Sequence, residues 1–313
     1  MPSKKILIIG STNMDMVVKT KHIPAPGETV LAGSFFMNPG GKGANQAVAV
    51  ARLGGNSCFI SKVGNDVFGK QSSSQLFDEE GINTSYLLSD DELPSGVALI
   101  TVDQRGENSI VVASGANGNL YPRHLKEAMN EIGGAFIIMM QLEIPMETVE
   151  FIAKFAASKK VLVILDPAPS SDLSAELLSH IDIITPNQTE AEMLSGIKVH
   201  SIESAKKAAR AIYAMGVKHV VITMGALGVV ICSEGKIHLV ETPKVEALDT
   251  TAAGDVFNGG LAVALSEGKT LIDAVYFGCL AAAVSVTRLG AQSSIPYRNE
   301  IIAANMAFDK ISQ

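Results

Sequence analysis

The chain has few charges, few cysteines and no long apolar run, and each shortage excludes something. Only 18 % of its 313 residues are charged, against roughly 25 % in an average protein. Mean hydropathy is +0.26, so the composition is that of a well-buried α/β protein, not a disordered one. No stretch approaches the roughly 18 apolar residues that span a bilayer. The start, Met1-Pro2-Ser3-Lys4-Lys5, leads into a brief apolar run from Ile6 to Gly10, too short for a signal-peptide core. Neither a membrane nor an export route is expected. Cys58, Cys232 and Cys279 are odd in number, scattered and without metal-like spacing. They read as buried free thiols in a reducing, cytoplasmic setting. The six histidines contain no HxxxH-type pairing, so no zinc site is expected. A net charge of −7 with a pI near 5.4 argues against a broad basic surface for nucleic acid.

What is present is a rhythm. Short apolar runs at Ile6–Ile9, Phe136–Met140, Val161–Leu165, Ile181–Thr185 and Val220–Thr223 read as buried strands. Amphipathic segments such as Met146–Ala157, Ala175–His180, Ala191–Leu194 and Ile202–Met215 separate them. Apolar strands alternating with helices predict an α/β fold of three layers, α/β/α, around a mainly parallel sheet. Ligands in such sheets collect at the carboxyl ends of the strands. Asn13, Glu143, Asp166 and Asn187 each fall just past such an end, so they can converge. Residues of about 15–36 and 95–114 are strand-like instead and lie beside motif-bearing segments. They predict a small projecting β-sheet, either a lid or a dimer surface. With no repeat or low-complexity linker, the whole chain, 1–313, reads as one domain carrying that lid.

Several segments carry chemistry. Asp249-Thr250-Thr251-Ala252-Ala253-Gly254-Asp255 precedes an apolar helical pattern. First-turn amides near Ala253, Gly254 and Asp255 would point outward from a helix start and bind an anion. Asp255 inside such a cradle suggests phosphoryl transfer to a hydroxyl group; a simple helix cap is the other reading. At a helix N-terminus this carboxyl is expected to have a low pKa and to be a poor base. Gly40-Gly41-Lys42-Gly43-Ala44-Asn45 opens a second helix. Its glycines admit close backbone approach, and Lys42 and Asn45 offer donors to hydroxyl groups; a tight strand–helix turn explains the same residues. The segment lacks the GxxxxGK[ST] of a P-loop, and the chain lacks GxGxxG, which disfavours a dehydrogenase. Asn13 and Asp15 share a strand face and can bind neighbouring hydroxyls, or else stabilise a turn. Asn187 and Glu190 have capping-box spacing and can also stand near a magnesium–phosphate centre. Thr223-Met224-Gly225-Ala226-Leu227-Gly228 ends a strand in a turn that could clasp a nucleotide phosphate.

Taken together, these segments resemble the ribokinase-like (PfkB) carbohydrate kinase family. The resemblance is carried by Gly10-Ser11-Thr12-Asn13-Met14-Asp15, Pro26-Gly27-Glu28-Thr29, Gly40 to Ala47, Met140 to Glu143, Asp166 to Pro169, Thr185 to Glu192, Thr223 to Gly225, Asp249 to Gly259 and Thr287 to Gln292. It implies ATP-dependent phosphorylation of D-ribose at O5, giving D-ribose 5-phosphate. A sibling activity on 2-deoxyribose, a nucleoside or another sugar stays open, as does a non-catalytic sensor, which intact Asp255 disfavours. By resemblance Asn13, Asp15, Gly41, Lys42, Asn45 and Glu143 hold the sugar. Asp255 faces its primary hydroxyl as base, beside an anion hole at Ala252, Ala253 and Gly254. Asn187, Thr223, Gly225, Gly228, Gly254 and the neighbourhood of Cys279 line the ATP site. Glu190 serves magnesium through water. A potassium ion is expected at Asp249, Thr251, Ser285, Arg288, Gly290 and Ser294, largely through carbonyl oxygens. Thr251 and Ser285 stand where apolar residues are frequent, and Met14 could narrow the pocket. Retention of Asn13 favours ribose over 2-deoxyribose. A homodimer through the lid is the family precedent.

Overall fold

A computed structural model describes residues 4–31 and 33–311. Residues 1–3, Ala32 in the first expected lid segment, and residues 312–313 lie outside the described residues. Thirteen strands are present among the described residues. They are β1 (Lys5–Ile9), β2 (Asn13–Lys19), β3 (Ser34–Gly40), β4 (Asn56–Gly64), β5 (Asn83–Asp90), β6 (Gly96–Val102) and β7 (Asn108–Ala113). After these come β8 (Ile137–Met140), β9 (Leu162–Leu165), β10 (Ile183–Ile184), β11 (His219–Thr223), β12 (Val229–Ser233) and β13 (Lys236–Val240). The α-helices are α1 (Lys42–Arg52), α2 (Val67–Ser74), α3 (Met129–Gly134), α4 (Met146–Lys159) and α5 (Ala175–Ser179). They continue as α6 (Gln188–Ser195), α7 (Ile202–Tyr213), α8 (Ala253–Ser266), α9 (Leu271–Ser285) and α10 (Arg298–Ile311).

Nine strands form the central sheet in the order β13-β12-β11-β10-β9-β8-β1-β4-β5. Every pair from β11 to β5 is parallel, and β12 and β13 add antiparallel at one edge. The alternation along β1 shows why the protein has three layers. Ile6 and Ile8 join a core with α1, α8 and α9, whereas Leu7 and Ile9 join one with α4 and α7 on the opposite face. A strand buried on both faces must be apolar at every position, and Ile6 to Ile9 are fully buried. Among the described residues no helix is long and apolar enough to cross a membrane.

The remaining strands form a second sheet in the order β3-β2-β6-β7. It is mixed, because β2 pairs parallel with β6 and antiparallel with β3. Its strands fall within 13–40 and 96–113; the first pair extends past the strand-like segment read at about 15–36, and the second lies within that read at about 95–114. Asp15, Val17, Ala98 and Ile100 share one face by register, and Met16, Val18 and Leu99 share the other.

The central sheet ends in a common line. Ile9 pairs with Met140, Met140 with Leu165, and Leu165 with Ile184. The residues that follow these strands therefore emerge side by side, where β1 meets β8 and the connections diverge to opposite sides of the sheet.

Candidate active site

Two adjoining cavities, of about 930 and 200 Å³, open above this line. Lys42, Glu190 and Asp255 border both. The larger is also lined by Asn13, Asp15, Gly41, Asn45 and Glu143, and by Ala98, Ile100, Ile110 and Val112 of the small sheet. The smaller is lined by Asp166, Asn187, Thr223, Ala252, Ala253, Gly254 and Asn258.

Helix α1 reaches this place because glycines let it. Gly41 has φ of 90°, and a β-carbon there would lie 2.7 Å from the Asn13 amide nitrogen. A β-carbon on Gly43 would lie 2.6 Å from the backbone of Gly10 and Ser11. Only glycine allows the start of α1 to rest on the end of β1. That contact delivers Lys42, Asn45 and Gln46 to Asp255, which lies more than 200 residues further along the chain.

Asn45 Nδ2 donates to Asp255 Oδ2 at 3.0 Å, and Gln46 Nε2 donates to Asp255 Oδ1 at 3.2 Å. The same Gln46 nitrogen donates to Asp166 Oδ2 at 2.9 Å, while its Oε1 accepts from Gln141 Nε2 at 2.6 Å. Glu143 accepts from the Ser11 hydroxyl and from the Lys42 backbone N–H. Gln46, Gln141, Asp166 and Ser11 are members of this cluster that were not assigned site roles from the sequence. Asp166 had a signal, since it directly follows a strand. The two glutamines lie within the motif segments Gly40 to Ala47 and Met140 to Glu143, but a buried amide inside a helix or at a strand end gives no role until its partners are known.

The anion cradle differs from expectation at one position. Ala252 precedes α8 in the left-handed region, at φ of 60°, a costly conformation for a residue with a β-carbon. The Ala253 N–H donates to the Thr250 carbonyl at 3.2 Å, so it is not free to bind an anion. Among the described residues the N–H groups of Gly254 and Asp255 have no partner. The cradle therefore consists of two amides rather than three.

Electrostatics correct a second expectation. Five carboxyl groups, of Asp15, Glu143, Asp166, Glu190 and Asp255, surround the ammonium of Lys42. Burial raises Asp255 above the ordinary carboxyl value, and Lys42, Asn45 and Gln46 offset this only in part. The shift runs opposite to the low pKa expected from its helix-end position, with burial as its largest cause. Burial also raises Asp166 well above its ordinary value and raises Glu190. Asp15 is pushed up to about 7, first by burial and then by Glu143 and Asp255. Burial opposes the charge on Lys42, but the surrounding carboxylates more than compensate and hold its pKa above the usual value.

Asn187 caps α6: its side chain accepts from the Glu190 N–H at 3.0 Å, and Glu190 accepts from the Asn187 N–H at 2.8 Å. The capping box is therefore formed, with Glu190 still bordering both cavities. The carboxyl groups of Glu190 and Asp166, next to the partnerless amides, offer oxygen ligands that fit a divalent cation carried in with phosphates. Among the described residues no cluster of three or more His, Cys, Asp and Glu side chains would hold a metal by itself.

Asp249 joins the loops at 248–251 and 286–290. It accepts from Thr251 N at 2.9 Å and from Gly290 N at 2.9 Å. Burial works against its charge, yet these bonds and the Thr251 hydroxyl hold its carboxyl below the ordinary value. One ionised carboxylate among loop carbonyls fits a monovalent cation. The Arg288 guanidinium pairs with Glu300 and the Ser285 hydroxyl donates to the Ala282 carbonyl, so neither side chain is committed to an ion. Ser294 is fully buried, its hydroxyl donating to Ala291 O.

Three expected ATP-site residues border neither cavity. Cys279 is packed in the α8–α9 core, its thiol pushed up to about 12 by burial. Gly225 and Gly228 form the turn after Thr223. A β-carbon on Gly228 would lie 2.5 Å from the Val240 carbonyl oxygen, so that glycine serves the close pass of β13.

The sequence profile described as pfkB family carbohydrate kinase matches residues 3–298. A ribokinase of Haemophilus influenzae is 46 % identical over 299 residues, covering 96 % of this chain and 97 % of that one. The structure of Arabidopsis thaliana ribokinase complexed with ribose and ATP matches with a TM-score of 0.90 at 32 % identity, covering 96 % of this chain and 98 % of that one. A deoxyribokinase of Salmonella typhi is 36 % identical over 292 residues, covering 93 % of this chain and 95 % of that one.

The elevated Asp15 pKa has a measurable consequence. Between the ordinary carboxyl value of 3.8 and about 7, the folded protein keeps a proton that the unfolded chain releases. Stability contributed by this group is present at low pH and lost as pH rises through that window. Asp15→Asn is expected to raise the melting temperature of the ligand-free protein at pH 8, with the gain shrinking toward pH 4. A pH-independent difference in calorimetry would contradict this assignment.

Proposed function

The chain belongs to the pfkB family of carbohydrate kinases, and from that footing we propose that it transfers the γ-phosphoryl group of ATP to O5 of D-ribose. The observation that carries this reading is the placement of Asp255. Its carboxylate borders both cavities, and its own amide and that of Gly254 are unpaired beside it. The larger cavity takes the sugar, through Asn13, Asp15, Gly41, Lys42, Asn45 and Glu143. The smaller takes the phosphates, beside Asn187, Thr223 and Gly254. A relative whose structure contains ribose and ATP supports the choice of both substrates.

The mechanism follows from the residues. Asn45 and Gln46 each hold one oxygen of Asp255. The carboxylate is thus aimed before substrate arrives, which removes part of the orientation cost of attack. It accepts the proton of the primary hydroxyl, and its raised pKa makes it a better acceptor than an exposed aspartate. The amides of Gly254 and Asp255 stabilise charge developing on the transferring group, with Ala252 setting their direction by its left-handed turn. Lys42 offsets negative charge where the two substrates meet. Magnesium entering with ATP, held near Glu190 and Asp166, would supply charge neutralisation of the phosphates. A potassium ion beside Asp249 would fix the loop leading into the cradle.

The small sheet acts as the lid of this site, because Ala98, Ile100, Ile110 and Val112 turn an apolar face to the cavity and would exclude water on closure. Its opposite face exposes Phe35, Met37, Leu99 and Val111. Such an apolar surface supports a homodimer formed through the lid. The three buried, unpaired cysteines support a cytoplasmic setting.

Three measurements test this reading. ADP release across ribose, 2-deoxyribose, fructose and adenosine is expected to give the highest kcat/KM for ribose; a lead for another acceptor would replace the substrate. Asp255→Ala is expected to lower kcat by roughly 10² or more while ATP still binds, and near-normal turnover would sink the role of Asp255. Replacing sodium with potassium is expected to raise the rate, and equal rates in both salts would remove the cation site.

A further inference from the structure

The side-chain amide of Asn13 has two ends, and the structure shows what selects between them. Asn117, in the turn Gly115–Asn119 after β7, is 1 % exposed and lies against the backbone of Thr12. Its Oδ1 accepts from the Thr12 N–H at 2.9 Å, and its Nδ2 donates to the Thr12 carbonyl at 3.0 Å. A backbone N–H can only donate and a carbonyl can only accept, so this amide has one permitted orientation. The second Nδ2 proton reaches the Asn13 side chain at 2.8 Å, and the atom that receives it must be Oδ1. Asn13 lines the larger cavity, and Nδ2 is the end of its amide left to face it.

Gly96 makes the contact possible. It pairs with Asn13 in register, and a β-carbon there would lie 2.2 Å from both Asn117 Nδ2 and Asn13 Oδ1. No other residue leaves room for this hydrogen bond.

We propose that Asn117 is a positioning residue that fixes Asn13 as a hydrogen-bond donor toward the substrate. The cavity then presents a donor at Asn13 and an acceptor at Asp15, two positions apart on one face of β2. That pair is complementary to two neighbouring hydroxyl groups, one accepting and one donating. A fixed donor discriminates more sharply than an amide free to turn over, since a substrate with the wrong group leaves a buried partner unsatisfied. The inference rests on the reading of the larger cavity as the sugar site.

The test is steady-state kinetics of the wild type, Asn13→Ala, Asn117→Asp and the double variant, with ribose and ATP each varied. Asn117→Asp keeps the acceptor for Thr12 N–H and loses both donations, so the Asn13 amide turns to donate to it and presents its oxygen to the cavity. The expected result is a ribose KM raised by about tenfold, as for loss of one hydrogen bond. The KM for ATP and kcat should stay within about twofold, and the double variant should bind ribose no worse than Asn13→Ala alone. Gly96→Ala, which separates the pair without changing either member, should reproduce the ribose-selective defect and serves if Asn117→Asp does not fold. An unchanged ribose KM in a folded Asn117→Asp or Gly96→Ala overturns the inference, as do additive effects in the double variant or an equal loss for both substrates. If Asn13→Ala itself leaves the ribose KM unchanged, the sugar-site reading falls and the inference with it.

Discussion

One side-chain nitrogen, Nε2 of Gln46, is shared by the buried carboxylates of Asp166 and Asp255. The site depends on that sharing. Two carboxylates this close repel each other in a medium of low dielectric, and each alone would tend to take up a proton. An amide nitrogen with two protons satisfies both without adding charge. It can do so only because Gln141 holds the other end of the Gln46 side chain, and because Gly41 and Gly43 let α1 approach the end of β1. The glycines fix the helix, the helix fixes the amide, and the amide fixes the direction of Asp255.

The same crowding explains why the helix dipole does not govern Asp255. The dipole contributes of the order of 1 kcal/mol near an exposed helix end. Removing a carboxylate from water costs several times that, and the neighbouring carboxylates add to it. Among the described residues, Lys42 is the one ammonium in this cluster. Such a cluster is costly in the empty protein and gains from positive charge brought in with a nucleotide. Substrate binding and relief of repulsion therefore act in the same direction.

Much of this organisation was legible in the sequence because it rests on periodicity and punctuation. The continuous apolar run Ile6–Ile9 marks a strand buried on both faces, and Asn187 with Glu190 marks a helix start. Asn13, Glu143, Asp166 and Asn187 fall near one edge because each follows an apolar strand, and Asp255 is marked because it opens an apolar helix; the sugar-site roles of Asn13 and Glu143 come from the family resemblance. What escaped was pairwise and distant. The Ala253 N–H is lost to Thr250 through a local turn that no motif announces. Cys279 lies on a helix whose apolar residues surround it on every side, so the sequence does not say which face it presents. Gln46, Gln141 and Asn117 act through partners 95 or more residues away in the chain, and a single sequence holds no trace of those distances.

The two halves of the site differ in what carries them. Asp255, Asp166 and Asn187 sit at the ends of elements belonging to the central sheet and its helices. Asp15, by contrast, lies within β2, a strand of the small sheet, held between β3 and β6. Asn13 stands at the junction, paired with Gly40 on one side and Gly96 on the other, and tied to Asn117. Any movement of the small sheet relative to the central one carries Asp15 with it, while the unpaired amides of Gly254 and Asp255 stay behind. On the proposed reading of the larger cavity as the sugar site, holding the sugar requires the small sheet to be in place, and placing it brings its apolar face over the cavity. On that reading the hydroxyl would reach Asp255 under the same condition that excludes water, which would couple phosphoryl transfer to sugar at the expense of hydrolysis.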